Sequence, residues 1–307
     1  MGKNIFSIIS ILLACMSCHE LYTHERVVGQ PLKVVCTTGI IGDALRNIGG
    51  DAIQLEILMG PGVDPHTYKA THGDLQKLLK ADVIFYNGLH LEGKMSEVLI
   101  KLNALKPVIP ISEGLSEEII QMSDPETTIP DPHIWFDVTI WSKALEYTSE
   151  KLMEIDSANA TIYKANSKKY LSTLAELHEE IKQQISTIDP KRRILITAHD
   201  AFGYFGKAYG LEVYGLQGIS TISEFGLYEL THLVDFIVDK RIPAVFPETS
   251  ISDRSVKALQ EGCQKRKWNI TMGGHLYSDA LGKTGSQTGT YEGMLRSNIN
   301  SIVSALK

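Results

Sequence analysis

Three histidines and one aspartate have the residue types needed to hold a metal ion. His66 lies in Gly60-Pro-Gly-Val-Asp-Pro-His-Thr-Tyr68 and His133 in Asp131-Pro-His-Ile-Trp-Phe-Asp137. His199 lies in Thr197-Ala-His-Asp200, and Asp279 closes Gly273-Gly-His-Leu-Tyr-Ser-Asp279. Three neutral imidazoles with one carboxylate make a nitrogen and oxygen donor set that suits Zn²⁺ and also accommodates Mn²⁺ or Fe²⁺. A histidine taken singly is more commonly a surface or hydrogen-bonded structural residue, so residue type alone leaves a shared site open. Position adds to the case. Each of the four follows a run that reads as a strand, and open α/β sheets place ligands beyond the carboxyl ends of their strands.

Those strands are short, apolar and rich in β-branched residues. They fall at 32–38, 53–58, 83–87 and 108–111, separated by helical patterns such as 73–81, where Leu75, Leu78 and Leu79 keep helical spacing. The second half repeats the scheme with runs at 194–197, 212–216, 244–246 and 269–272. Alternation of buried runs with helices predicts parallel strands and βαβ units. Between the halves, residues 158–188 carry Tyr170, Leu171, Leu174, Leu177, Ile181, Ile185 and Ile188 on one helical stripe, and Asp189-Pro190 stops it. At 1.5 Å per residue such a helix spans about 45 Å, the length of a whole lobe. The expected fold is therefore α/β, with two lobes that each hold a mainly parallel sheet flanked by helices. One long backbone helix joins them. Two of the four candidate ligands come from each half, so they can meet only in the cleft between lobes. A helical connection is stiffer than paired extended strands, which predicts local rather than large hinge movements.

Composition narrows the class. The 307 residues exceed one ordinary core, and 43% hydrophobic with 21% charged residues excludes disorder. With 30 basic against 36 acidic residues, a formal charge of −6 offers no basic stripe for nucleic acid. No apolar run reaches the roughly 18–20 residues of a spanning helix. The apolar run at 5–14 follows Lys3 and has the length of a secretory h-region. It ends in Leu12-Leu13-Ala14-Cys15, which resembles a bacterial lipoprotein cleavage box, with Cys18 as the competing acylation site. The expected division is a signal and lipobox region at 1–18, a tether at 19–30 and an N-terminal lobe at 31–157. The linking helix at 158–188 and a C-terminal lobe at 189–307 complete it. Cys36 and Cys263, the cysteines of the body, lack CxxC spacing and are expected as two buried thiols.

The segments 63–68, 131–135, 197–205, 216–220 and 276–282, in this order and spacing, resemble the solute-binding proteins of bacterial metal-ion ABC importers, most closely the TroA-type zinc and manganese group. The resemblance covers essentially the whole chain beyond Val34. It implies two α/β lobes joined by one helix, a single Zn²⁺ or Mn²⁺ between them as cargo, and a membrane permease as partner. It transfers ligand roles to His66, His133, His199 and Asp279. An exported protein with a lipid anchor at Cys15, or alternatively Cys18, is implied, without a catalytic cofactor. Manganese-type members commonly carry Glu where this chain has His199, and many zinc-dedicated members carry a His-rich loop that 116–130 lacks.

Several neighbours have expected roles. Asp64 or Asp200 would orient a ligand imidazole through its second nitrogen. Glu224 and Glu248 would accept from buried loop amides, and Trp135, Tyr204 and Phe205 would wall the site from water. His275 is an alternative ligand. His72, His90, His178 and His232 read as surface residues, and His19 and His24 lie in the tether. The rival class is a zinc hydrolase, which needs an open coordination position and a nearby base. No HExxH, GxSxG or P-loop supports it. A surface adhesin is compatible as an added role.

Overall fold

Leu32–Cys36 forms β1, whose run of buried side chains, Lys33 apart, marks a strand covered on both faces. It pairs in parallel with β2 (Ile53–Ile57) on one side and β3 (Val83–Tyr86) on the other, and β3 pairs with β4 (Val108–Pro110). The order is β2-β1-β3-β4. The computed structural model describes residues 29–122, 129–222 and 225–307. The readings that concern the signal, Cys15, Cys18, His19, His24 and Glu224 lie outside the described residues.

Crossover helices cover this sheet. The hydroxyl of Thr38 accepts from the Ile41 amide and starts α1 (Gly39–Gly49), and a reciprocal Thr71–Asp74 capping box starts α2 (His72–Lys80). The third helix, α3 (Ser96–Asn103), precedes β4.

The second half has the same strand order. In chain order it runs β5 (Ile194–His199), α6 (Gly203–Tyr209), β6 (Glu212–Gln217), α7 (Leu227–Lys240), β7 (Ala244–Val245), α8 (Arg254–Lys265) and β8 (Thr271–Met272). Strands β5 and β6 pair in parallel, as do β7 and β8. A parallel bridge between Thr197 and Phe246 joins the two pairs, with the Phe246 amide donating to the Ile196 carbonyl at 2.9 Å. The strands differ by one or two residues in extent from the sequence reading, and two of these differences are the longest of this half. β5 runs two residues further, so His199 is its last residue, opposite Gln217. β8 begins only at Thr271, whose amide bonds the Pro243 carbonyl.

The long helix is α5 (Ala160–Ser186), 27 residues or about 40 Å. Its buried positions include Tyr170, Leu174, Leu177, Ile181 and Ile185 of the stripe expected from spacing, with Tyr163 in addition, while Leu171 is only half-buried. Burial of each leucine or isoleucine contributes about 1.5–3 kcal/mol. Two further helices share this layer. α4 (Val138–Ile155) packs along α5 across a turn in which Asp156 accepts from Tyr163 Oη at 2.6 Å. α9 (Tyr291–Leu306) leaves the second sheet and packs on α5 and α1, its Tyr291 amide donating to Asp43 at 3.0 Å. The C-terminal helix thus ties the second half of the chain to the first. Cys36 and Cys263 are buried free thiols, as composition suggested.

Candidate metal centre

The chain brings His66, His133, His199 and Asp279 together, with one ligand atom from each lying within 4.8 Å of all the others. His66 stands in the loop after β2, where Gly62 takes a left-handed φ of 71° that a side chain would strain. His133 precedes a short 3₁₀ turn, Ile134–Phe136, whose three side chains are fully buried. His199 ends β5, and Asp279 follows β8. The bridge between Glu248 and Leu276 extends the β7–β8 pairing toward Asp279.

Gly215 makes room for this arrangement. A Cβ on Gly215 would stand 2.3 Å from the Asp200 amide nitrogen and 2.5 Å from the His199 carbonyl carbon. Only glycine lets β6 pass so close to the ligand strand.

All three rings aim Nε2 at the Asp279 carboxylate. Asp279 Oδ2 lies 3.3 Å from His199 Nε2 and 3.8 Å from His66 Nε2, and Oδ1 lies 3.5 Å from His133 Nε2. Donor atoms 2.0–2.2 Å from an ion stand about 3.3–3.6 Å apart along the edges of a tetrahedron. Two of the three separations fall in that range, and the third, at 3.8 Å, lies just above it. The three Nε2 atoms and both Asp279 oxygens are buried without hydrogen-bond partners. Buried polar atoms are rarely left so, and five aimed at one point are explained by a cation at their centre. The two oxygens let Asp279 offer one donor or two.

Carboxylates behind the rings fix two tautomers. Asp131 Oδ1 accepts from the His133 amide at 2.9 Å and lies 2.7 Å from His133 Nδ1. Glu248 Oε1 accepts from the His199 amide at 2.8 Å, and Oε2 lies 2.5 Å from His199 Nδ1. A proton on each Nδ1 leaves Nε2 as a lone-pair donor. The expectation of Asp64 or Asp200 in this role is corrected: Asp131 and Glu248 hold the rings. Asp64 instead accepts from the His66 backbone amide at 2.8 Å, and Asp200 sits half-buried in the turn just past β5, where the Ala201 amide donates to the His199 carbonyl at 3.0 Å. The expected amide contact of Glu248 is present, with the ring contact in addition.

Charge follows the same geometry. Burial holds the His66 imidazole down at about 4, outweighing Asp279, so the ring is neutral at pH 7. Burial alone would lower His199, but Glu248 and Asp279 hold it well above its ordinary value. Burial alone would raise Asp279, yet His199, His133 and His66 hold it well below the usual carboxylate range. Burial, then Asp131, pushes Asp200 up to about 6.

The remaining candidates separate. Trp135 meets the His133 ring edge-on at 5.2 Å and donates from Nε1 to the Ser278 carbonyl at 2.9 Å, so it walls the site and ties it to the Asp279 loop. Tyr204 Oη donates to the Asp131 carbonyl at 3.1 Å. Phe205 packs on Phe136, Phe202 and Tyr209, one layer away from the ligands. His275 stands outside the cluster, exposed, at 3.2 Å from Asp253. His72, His90 and His232 are exposed, whereas His178 is half-buried against Tyr209.

Residues 34–305 match the family described as zinc-uptake complex component A, periplasmic. The chain is 45% identical over 279 residues to the manganese-binding lipoprotein MntA of Bacillus subtilis, covering 91% of this chain and 90% of that protein. It is 44% identical over 278 residues to the zinc-binding protein TroA of Treponema pallidum, covering 91% and 89%. The solved structure of that periplasmic zinc-binding protein superposes with a TM-score of 0.88 at 42% identity, over 90% of this chain and 99% of that one. A Mn-bound periplasmic metal-binding protein from Candidatus Liberibacter asiaticus superposes with a TM-score of 0.79 at 26% identity, over 90% and 100%. With 272 of its 307 residues matched (34 to 305), the chain belongs to the periplasmic zinc-uptake component A family.

Proposed function

We propose that this protein captures one divalent transition-metal ion outside the cytoplasm and delivers it to the membrane permease of an ABC importer. His66, His133, His199 and Asp279 are the ligands. The observation that carries this reading is the set of five unpartnered buried donor atoms, from both lobes, gathered so that one atom from each residue lies within 4.8 Å of the others. Zn²⁺ and Mn²⁺ are the cargo ions favoured by the names of the relatives, and Fe²⁺ fits the same donors.

The carrier reading is preferred to a hydrolase on geometry. A catalytic zinc keeps a position open to water and substrate, whereas these four side chains are at most 2% exposed. A groove of about 560 Å³ beside α9 and a cavity of about 250 Å³ near Arg46 contain none of them, so an organic molecule in either would not meet the donors. Export with acylation at Cys15, or at Cys18, agrees with the relatives named as lipoproteins. Calorimetric titration with Zn²⁺ and with Mn²⁺ tests the function: tight one-to-one binding without turnover of ester or peptide substrates supports it. Sustained hydrolysis, or no stoichiometric binding, would contradict it.

A further inference from the structure

We infer that Thr221 is a positioning residue for the cargo, a latch between lobes that acts through Asp64 on His66. Thr221 follows β6 in the second half of the chain, and Asp64 belongs to the His66 loop, 157 positions away. The Thr221 hydroxyl donates to Asp64 Oδ2 at 2.6 Å. The same carboxylate accepts from the Thr67 hydroxyl at 2.9 Å and, through Oδ1, from the His66 amide at 2.8 Å. One anion therefore joins the ligand's own backbone, the next residue and the opposite lobe.

His66 depends on this arrangement in a way that the other imidazoles do not. His133 and His199 each have a buried carboxylate on Nδ1, whereas the aspartate of the His66 loop is engaged with backbone and hydroxyl groups. The ring of His66 is consequently aimed by its loop. Other cross-lobe bonds near the site, Trp135 to Ser278, Tyr204 to Asp131 and Tyr291 to Trp135 among them, are buried and serve the His133 segment. The Thr221–Asp64 bond is half-buried. It is the bond that a movement of the segment after β6 would break first, freeing His66 and lowering the coordination of the ion by one donor. Release then starts at His66 while His133, His199 and Asp279 stay in place.

The latch rests on the reading of His66 as a ligand, and dissociation kinetics separate the two. The full chain is loaded with one equivalent of Zn²⁺, and loss to excess fluorescent chelator is followed by stopped flow. Thr221→Val removes the donor at nearly constant shape, and Thr221→Ser keeps it. Asp64→Asn keeps the oxygen that caps His66 but replaces the one that accepts from Thr221. Thr221→Val is expected to release Zn²⁺ about tenfold faster at an unchanged association rate, the scale of a lost hydrogen bond to a charged group. Thr221→Ser should restore the parental rate to within about twofold, and the Val/Asn pair should be no faster than the faster single variant. A parental rate in Thr221→Val, a Ser variant as fast as Val, or multiplying effects in the pair would overturn the latch. If melting of the metal-free form shows the Val variant unfolded, the Ser and Asn variants decide on the same criteria. A parent chain that holds no Zn²⁺ sinks the ligand assignment, whereas a parent that holds it with an unaffected Val variant sinks the latch alone.

Discussion

The tripeptide Asp-Pro-His occurs twice at the site, and its two copies do different work. In both, the aspartate caps the amide of the histidine two residues on, at 2.8 Å for His66 and 2.9 Å for His133. Asp131 also reaches the His133 ring, and the segment that follows buries Ile134, Trp135 and Phe136. Asp64 turns instead to Thr67 and Thr221, and Thr67 is exposed. Local spacing thus dictates the backbone turn, while burial of the following residues decides whether the carboxylate serves the ring or the surface. The first copy is the adjustable end of the site, the second its fixed end.

The largest expected effect lies at the carboxylate that both histidines face. Asp279→Ala removes the one anionic donor, and competition titration should show a loss of Zn²⁺ affinity beyond the roughly 100-fold upper range of outer-partner changes, with the metal-free fold retained. Unchanged affinity would dismantle the site. Next comes the comparison itself. Asp131→Asn and Glu248→Gln should each weaken equilibrium binding by about 10- to 100-fold, because each ring loses its orienting anion. Asp64→Asn should cost less, since the His66 cap survives. Equal losses from Asp64→Asn and Asp131→Asn in the same titration would erase the distinction between the two copies.

Gly215→Ala probes the backbone behind His199, outside both copies. Its methyl would meet the backbone of His199 and Asp200, so thermal melting should report a destabilisation of about 1–3 kcal/mol, together with weaker binding. A melting curve identical to the parent's would show that β6 can yield. The smallest expected effect concerns selectivity. Two relatives of nearly equal identity are named for different ions, so overall similarity does not choose between them. Imidazole donors favour Zn²⁺ over Mn²⁺, and His199→Glu, which adds a hard oxygen, should move the ratio of affinities toward Mn²⁺. Competition titrations in which parent and variant show the same ratio would count against this.

Much of the architecture was legible because burial on both faces writes parallel strands as short apolar runs and writes α5 as one long stripe. The helix expected at 158–188 is observed as Ala160–Ser186, and the alternation of strands and helices expected in both halves is present. The four residues that the fold gathers were proposed by position, each at or beyond a strand's carboxyl end. The carboxylates behind the rings were not. Spacing makes Asp64 and Asp131 identical, and what separates them is the packing that follows each. Glu248 lies 49 residues from His199 and reaches it only because β7 is the neighbour of β5. Asp200 was the attractive choice by proximity, but the chain turns there, with the Ala201 amide donating to the His199 carbonyl, and Glu248 meets the His199 ring instead. Thr221 gave no local signal, since its partner comes from the other lobe.

The central claim is that three imidazoles and Asp279 hold one ion jointly, and the direct measurement is X-ray absorption at the zinc edge on protein loaded with one equivalent of Zn²⁺. The arrangement predicts three imidazole nitrogens at about 2.0–2.1 Å and one or two carboxylate oxygens at about 2.0–2.2 Å. Sulfur scattering at about 2.3 Å, which would bring in Cys36 or Cys263, or fewer than three imidazoles around the ion, would contradict it.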